Sequence, residues 1–266
     1  MTDQGASIGL VIRHDHDRDP VASAIVRAIA GPLVAAGMRF ITRSVDDDES
    51  ELRTYRLWAR VGGIAGVIVL GAVGDDPRIR LLRQIDLPFV ALARTDLEVD
   101  YPAVVVDPSA AAQALTTYLE AHDALRWVYV TAQQQPEPLV EHGPASETPE
   151  DRRALEIVRT SDVVGEAVAI GSAAVERTVL ILDGDRDAVA VLEGLLEAGA
   201  AVPGSVSLIC WSDSLVCQSA SRPITAIDRH GREIGELLGT AAIDAINGEG
   251  ALAAAPAPLV VERETT

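Results

Sequence analysis

Short apolar runs alternate with stretches of helical spacing along most of this chain. Ser7 to Ile12 (SIGLVI) form the first apolar run, and Asp19-Pro20 then read as an N-cap followed by proline at the first helical position. Val21, Ile25, Ile29 and Val34 recur at roughly helical spacing and Gly37 can close that helix; Gly31-Pro32 inside it predicts a kink or a split. Next the pattern predicts a strand over 39–43, an acidic turn from Asp46 to Glu49 and a helix over 50–61. A strand over 66–70, a helix over 77–84 and a strand over 89–92 continue the alternation. The apolar run 103–106 leads into an Ala-rich helix over 108–121, and 126–131 reads as another strand.

The stretch 133–151 (QQQPEPLVEHGPASETPED) breaks this rhythm and reads as an exposed loop. After it the spacing predicts a helix over 152–159, strands over 166–170 and 178–182, and a helix over 187–198. Only residues 171–177 separate those two strands, whereas a parallel crossover needs about a dozen residues. Either the two strands run antiparallel or the fold departs locally from a parallel plan.

The last third carries three informative blocks. LLEAGAAVPGSVSLICWSDS (195–214) is a helix stopped by Gly199, a Val-Pro-Gly turn, and a buried strand with a polar end. RPITAIDRHGREIG (222–235) is a short strand feeding an amphipathic helix, and APAPLVVERETT (255–266) is a final strand with a charged tip.

Such alternation argues for α/β architecture with parallel sheets covered on both faces. Open sheets of this kind bind ligands at the carboxyl ends of their strands. Here those ends are the segment after Ile12, Ala93-Arg94, Asp107, the loop after Thr131, Asp183 to Asp185, Trp211 to Asp213, and Asp228-Arg229.

Composition narrows the chemistry. At 266 residues and 48% hydrophobic content the chain can bury a large core. Its net charge of −18 repels phosphate backbones, so nucleic acid is not an expected partner of this chain alone. All its basic residues other than histidine are arginines, which removes Walker-A phosphate binding, Schiff-base chemistry and lysine general bases together. Cys210 and Cys217 are too few for a disulfide framework and read as reduced thiols. With no membrane-length apolar run and no secretory pattern at MTDQGASIGLVIR, a cytoplasmic location is expected.

Two motifs could carry catalysis. HDHD (14–17) has a spacing at which paired imidazoles share a metal, but His122, His142 and His230 offer no clear third ligand, and a solvated loop explains it as well. Asp183-Gly184-Asp185 mimics the D-x-D of aspartyl-nucleophile phosphatases, yet Arg186-Asp187 do not fit the positions that follow and no lysine is present. A strand end capping the next helix is the simpler reading. Gly71 to Gly74 is too short for a dinucleotide fingerprint and reads as a turn. Trp211 either lines a cleft or fills the core.

The ordered set of blocks resembles the effector-binding core of LacI/GalR-type transcriptional regulators. EAGAAVPGSVSLICWSD matches that family's "EAG-x-x-VP-x-D-(V/I)-S-(V/I)-x-G-(F/Y)-D-D", PITAI its "P-(L/P)-(T/S)-T-(I/V)", and LVVERET its closing strand. RVGGIAGVIVLG, DLPFVALAR and VVVDPSAAAQALTTYLEAHDALRWVYVT match in the same order, so the resemblance spans nearly the whole chain. It implies two doubly wound parallel-sheet subdomains of periplasmic-binding-protein type I, 1–122 plus 229–249 and 123–228 plus 250–266, with an effector cleft between them. It also implies a sugar or related metabolite as effector, a homodimer, and DNA contact only through a helix-turn-helix head, for which the six residues before Ser7 leave no room. No enzyme activity, cofactor or metal is expected.

Carried over by position, Asp19, Arg94, Asp107, Arg153, Asp185, Trp211, Asp213 and Arg229 would contact effector. Gly184 stands where the family commonly has asparagine, and Ser212 where it has the first aspartate of "D-D". A stand-alone transport-type sugar-binding protein and, further off, a hydrolase using His14, His16 or the Asp183 pair are the other readings.

Overall fold

The structure, a computed structural model, describes residues 6–13, 20–122, 126–132 and 155–266. The chain forms two compact units, Met1–Pro108 with His230–Pro256 and Ser109–Arg229 with Ala257–Thr266, so it passes between them three times. Each unit is built on one six-stranded sheet.

In the first unit the strands are β1 (Ser7–Arg13), β2 (Arg39–Val45), β3 (Ile64–Ala72), β4 (Phe89–Arg94), β5 (Ala103–Val106) and β11 (Leu252–Ala254). They lie in the order β11-β5-β4-β3-β1-β2 and all pair in parallel. Alternate residues face opposite sides, because strand side chains have a period of two. Ile8, Leu10, Ile68, Val90 and Val104 pack under α1 (Pro20–Ala35) and α8 (Gly231–Ile246). Val11, Val67, Val69 and Ala91 pack on the other face with Tyr55 of α2 (Asp48–Val61) and Ile79 and Leu82 of α3 (Pro77–Gln84).

The second unit holds β6 (Arg126–Thr131), β7 (Leu155–Arg159), β8 (Thr178–Leu182), β9 (Val206–Cys210), β10 (Thr225–Asp228) and β12 (Leu259–Val261). Their order is β12-β10-β9-β8-β6-β7, parallel except for the edge strand β12. Trp127, Tyr129, Val179, Ile181 and Ile209 meet α4 (Ala110–Glu120) on one face. Val128, Leu180, Leu182 and Leu208 meet α5 (Val163–Ser172) and α6 (Asp185–Glu197) on the other. A one-turn helix, α7 (Leu215–Gln218), follows β9.

Several expectations need correction. The units part at Pro108 rather than at 122, because Ala111, Leu115 and Leu119 of α4 are buried against the second sheet. The first unit extends past 249, since β11 adds to its sheet beside β5. The closing block therefore follows one strand and supplies another, one in each sheet. Residues 166–170 are helical, not extended. Asp162 caps that helix, its Oδ1 accepting from Gly165 N at 2.9 Å. With α5 as the crossover, β7 and β8 both run parallel to β6 and the spacing difficulty disappears. Residues 155–159 are an edge strand instead of a helix, and α1 runs unbroken through Gly31-Pro32. Burial of Ile25, Ile29 and Leu33 along one face holds α1 in register, while proline removes one internal hydrogen bond.

The α1–α8 contact is close because α8 presents glycines to α1. A Cβ on Gly235 would strike the Ile25 carbonyl oxygen and lie 2.7 Å from Ala28 Cβ; one on Gly239 would lie 2.7 Å from Ile29 O. By contrast, a Cβ on Gly31 of α1 meets nothing within 4 Å apart from its own chain neighbours and helix backbone. Gly235→Ala should therefore lower the unfolding free energy by about 1–3 kcal/mol through overpacking. Gly31→Ala should change it by less than about 1 kcal/mol, because the gain in helix propensity is opposed by crowding of the new Cβ against the ring of the following Pro32. Urea unfolding of both variants beside the parent checks that the Gly235 variant loses the more stability.

Candidate functional site

Parallel strands buried on both faces place charged side chains most readily where they end, and the central strands of both sheets do so. In the first unit β4 and β5 end side by side, Arg94 in register with Val106, which brings Arg94 and Asp107 to one edge. Both are exposed. Arg94 grips Asp96 through Nε–Oδ1 at 3.0 Å and Nη2–Oδ2 at 2.7 Å, a two-pronged geometry that holds the guanidinium plane in place.

The end of β3 holds a buried network that the sequence showed only as a turn. Asp76 caps α3, accepting from Arg78 N at 2.9 Å and Val73 N at 3.1 Å, and its Oδ2 takes Arg78 Nη2 at 2.7 Å. Arg78 also donates to Leu70 O and Gly71 O, and lies 3.4 Å from Glu51 Oε1, which accepts the Tyr55 hydroxyl at 2.7 Å. Burial alone would raise the Asp76 carboxyl; the hydrogen bond and charge of Arg78 outweigh it and hold that carboxyl below its ordinary value. Burial, then the Glu51 charge, pushes the Tyr55 phenol well up. These groups lock the loop between β3 and α3.

In the second unit the register Val130–Leu182, Leu182–Cys210 and Cys210–Ala226 lines up the ends of β6, β8, β9 and β10. Thr131, Asp183, Trp211, Ser212 and Arg229 follow from that row. Asp183 accepts the Tyr129 hydroxyl through Oδ1, and its Oδ2 is buried without a hydrogen-bond partner among the described residues. Arg229 Nη2 donates to Ser212 Oγ at 2.9 Å. Burial is the main influence on Asp183 and raises its carboxyl; Thr131, Tyr129 and the Arg229 charge pull the other way without cancelling it.

The expected contact residues fare differently. Arg94 and Asp107 share one edge, and Arg229 joins Ser212 beside Asp183. Asp185 opens α6, its Oδ1 accepting from Arg186 N at 2.8 Å. Trp211 is 3% exposed and packs with Tyr129, Ile181 and Ile227, so its ring fills the core and offers no wall to a ligand. Asp213 pairs with Arg263 at 2.7 Å and accepts from Gln218 at 3.2 Å, an arrangement that fastens the C-terminal segment to the loop after β9. Asp19, Arg153 and the HDHD segment lie outside the described residues. Tyr129 escaped the sequence reading because its strand alternation marks it as core. Asp183 does not cap α6, whose N-cap is Gly184.

Together the second unit's groups place a carboxylate and a guanidinium at one sheet edge, steadied by the buried Tyr129 and Ser212 hydroxyls, a set suited to fixing a hydroxyl-rich ligand by paired hydrogen bonds. Among the described residues no group of three or more His, Cys, Asp or Glu could hold a metal ion. No helix among them is long and apolar enough to cross a membrane. A separate cavity of about 340 Å³ lies at the opposite end of the second sheet, by Arg126, Val175, Glu176 and Thr178.

Comparison with known proteins agrees with this architecture. The family model described as a periplasmic binding protein-like domain matches residues 124–266. A LacI family transcriptional regulator from Bifidobacterium animalis subsp. lactis superposes with a TM-score of 0.81 at 24% identity, over 99% of this chain and 98% of that one. The lac repressor dimer bound to operator and the anti-inducer ONPF gives 0.74 at 15% identity, over 100% and 95%. The transcriptional regulator CelR in complex with cellobiose gives 0.70 at 20% identity, over 98% and 84%. No curated protein matches the sequence. The resemblance to LacI/GalR-type cores and the expected fold class are borne out.

The two perturbed carboxylates make opposite predictions. Asp76 has a folded pKa below its unfolded one, so its contribution is present above about pH 4 and is lost as pH falls through the folded value. Asp76→Asn should cost about 2 kcal/mol at pH 7, a deficit that shrinks below about pH 4. Asp183 has the reverse order: folding favours its protonated form, and ionising it weakens the fold as pH rises. Asp183→Asn should therefore be at least as stable as the parent at pH 7, with any advantage vanishing in acid. Urea titrations at several pH values read both.

Proposed function

Because the chain belongs to the periplasmic-binding-protein-like domain family, we propose that it is the effector-sensing core of a LacI-type transcriptional regulator. It binds a small hydroxyl-rich metabolite, a sugar or a close relative, and releases it unchanged. The observation that carries this reading is the partly exposed pair Asp183 and Arg229 at the carboxyl edge of the second sheet, held by the buried Tyr129 and Ser212 hydroxyls. Arg94, Asp107 and Asp185, with Asp19 and Arg153, supply further polar contacts on this reading. Ligand binding shifts the closure of the two units, and a homodimer passes that shift to DNA-binding segments. The net charge of −18 means that operator contact comes from a segment other than this one. Solved relatives of the same fold include a regulator in complex with cellobiose and a repressor dimer bound to operator, which supports both the ligand class and the dimer.

A thermal-shift screen with mono- and disaccharides, sugar acids and nucleosides tests the proposal, since any ligand of the folded state raises the melting temperature by mass action. At least one sugar-like compound should do so and be recovered unaltered. Asp107 is exposed, so Asp107→Ala should leave the fold intact while weakening binding roughly tenfold or more, about 1.4 kcal/mol; Arg153→Ala should do the same. Binding unchanged in both variants would overturn the site assignment, and turnover of the compound would overturn the sensor reading.

A further inference from the structure

The chain passes between its two units at Pro108–Ser109, at Arg229–His230 and at Pro256–Ala257. The first and last of these crossings carry proline. The pyrrolidine ring fixes φ at Pro108 and Pro256, and it also restricts Asp107 and Ala255 before them. The middle crossing has no proline, and its backbone is unusual. His230 stands at φ 53° and ψ 40°, in the left-handed region, between Arg229 and Gly231. That region is costly for a residue with a side chain, because Cβ crowds the following carbonyl.

The residues on either side of His230 are anchored in different units. Before it, β10 is paired with both β9 and β12, Asp213 N donates to Ile227 O at 3.1 Å, and Arg229 Nη2 donates to Ser212 Oγ. After it, Gly231 opens α8 tight against α1: a Cβ there would lie 3.0 Å from Val21 O and 3.1 Å from Ala24 Cβ. The His230 carbonyl already accepts the first bond of that helix, from Ile234 N at 3.0 Å. A single residue thus joins two well-packed segments, and a change of orientation at this crossing falls on its dihedral angles. Histidine also has lower wells to move to, since the extended and right-handed regions are its ordinary ones.

We propose that His230 is the hinge of this crossing. Its backbone leaves the left-handed region when the units reorient, which couples the Arg229–Ser212 contact in one unit to the orientation of α8 in the other. The hinge rests on the sensor reading above for what drives it: a ligand that draws on Arg229 favours one backbone well of His230 over the other. The two wells exist without a ligand, so the test needs none.

Nitroxide labels on Arg56→Cys of α2 and Glu193→Cys of α6, exposed positions with one in each unit, report the separation of the units by pulsed electron spin resonance. The native thiols are buried and stay unlabelled. In this doubly labelled chain His230→Val excludes the left-handed well, because a β-branched side chain does not fit it, and His230→Gly removes the preference between wells. The expected result is a shifted mean distance in His230→Val and a broadened distribution in His230→Gly. Asp86→Val controls for strain alone: Asp86 is also left-handed, at φ 49°, but lies between α3 and β4 inside the first unit. It should lose stability to urea and leave the distance unchanged. Distributions in both His230 variants that match the parent's would overturn the hinge, and so would an equal change in Asp86→Val. Either failure leaves the sensor reading standing, because the thermal-shift screen tests that separately.

Discussion

A parallel sheet covered on both faces has little room for charged side chains along its length. β8 and β9 are buried at every position, and the strands of the first unit divide their apolar residues between two separate cores. The charged groups of the central strands are thereby confined to the strand ends, where backbone pairing stops and loops begin. The proposed function follows from that confinement. Arg94 with Asp107 at one edge, and Asp183 with Arg229 at another, are what two such sheets leave exposed or partly exposed.

The last third of the chain serves both units. From β10 it returns through α8, whose glycines let it sit against the α1 backbone, and β11 adds to the first sheet. It then contributes β12 to the second sheet and ends with Thr265 buried, its hydroxyl donating to Leu208 O at 2.7 Å and accepting from Thr225 N at 2.9 Å. Arg263 reaches Asp213 from that same segment. The row of strand ends after β9 is thus anchored by residues about fifty positions away, which explains why polar groups there can be aimed rather than merely exposed.

Much of this was legible in local pattern. The limits of β5, β6, β8 and α3 coincide with their apolar runs because turn residues bracket each one. The misread elements lacked such contrast. α5 is apolar nearly all round (VVGEAVAIGS), since it packs on the sheet and on α6 at once, with Gly171 against Leu195 and Val168 against Gly194, so no polar stripe betrays its period. β7 is an edge strand with Glu156 and Arg159 exposed, and that charge imitates a helix surface. At the site, strand ends were readable as positions, but partners were not. Nothing in the spacing joins Tyr129 to Asp183 or Asp213 to Arg263, because those contacts exist only once neighbouring strands are in register. Trp211 was ambiguous for a related reason: an aromatic one residue past a strand can turn inward or outward, and here the core takes it.

Placing ligand recognition at the strand ends is the claim that everything else serves. Amide hydrogen exchange, with and without the sugar that most raises the melting temperature, tests it most directly. The account predicts protection concentrated in peptides covering 71–76, 94–107, 183–186, 211–214 and 228–231, with the opposite ends of the strands unaffected. Protection centred instead on 173–178, beside the cavity at the amino ends of β6 and β8, or spread over helix surfaces, would contradict it.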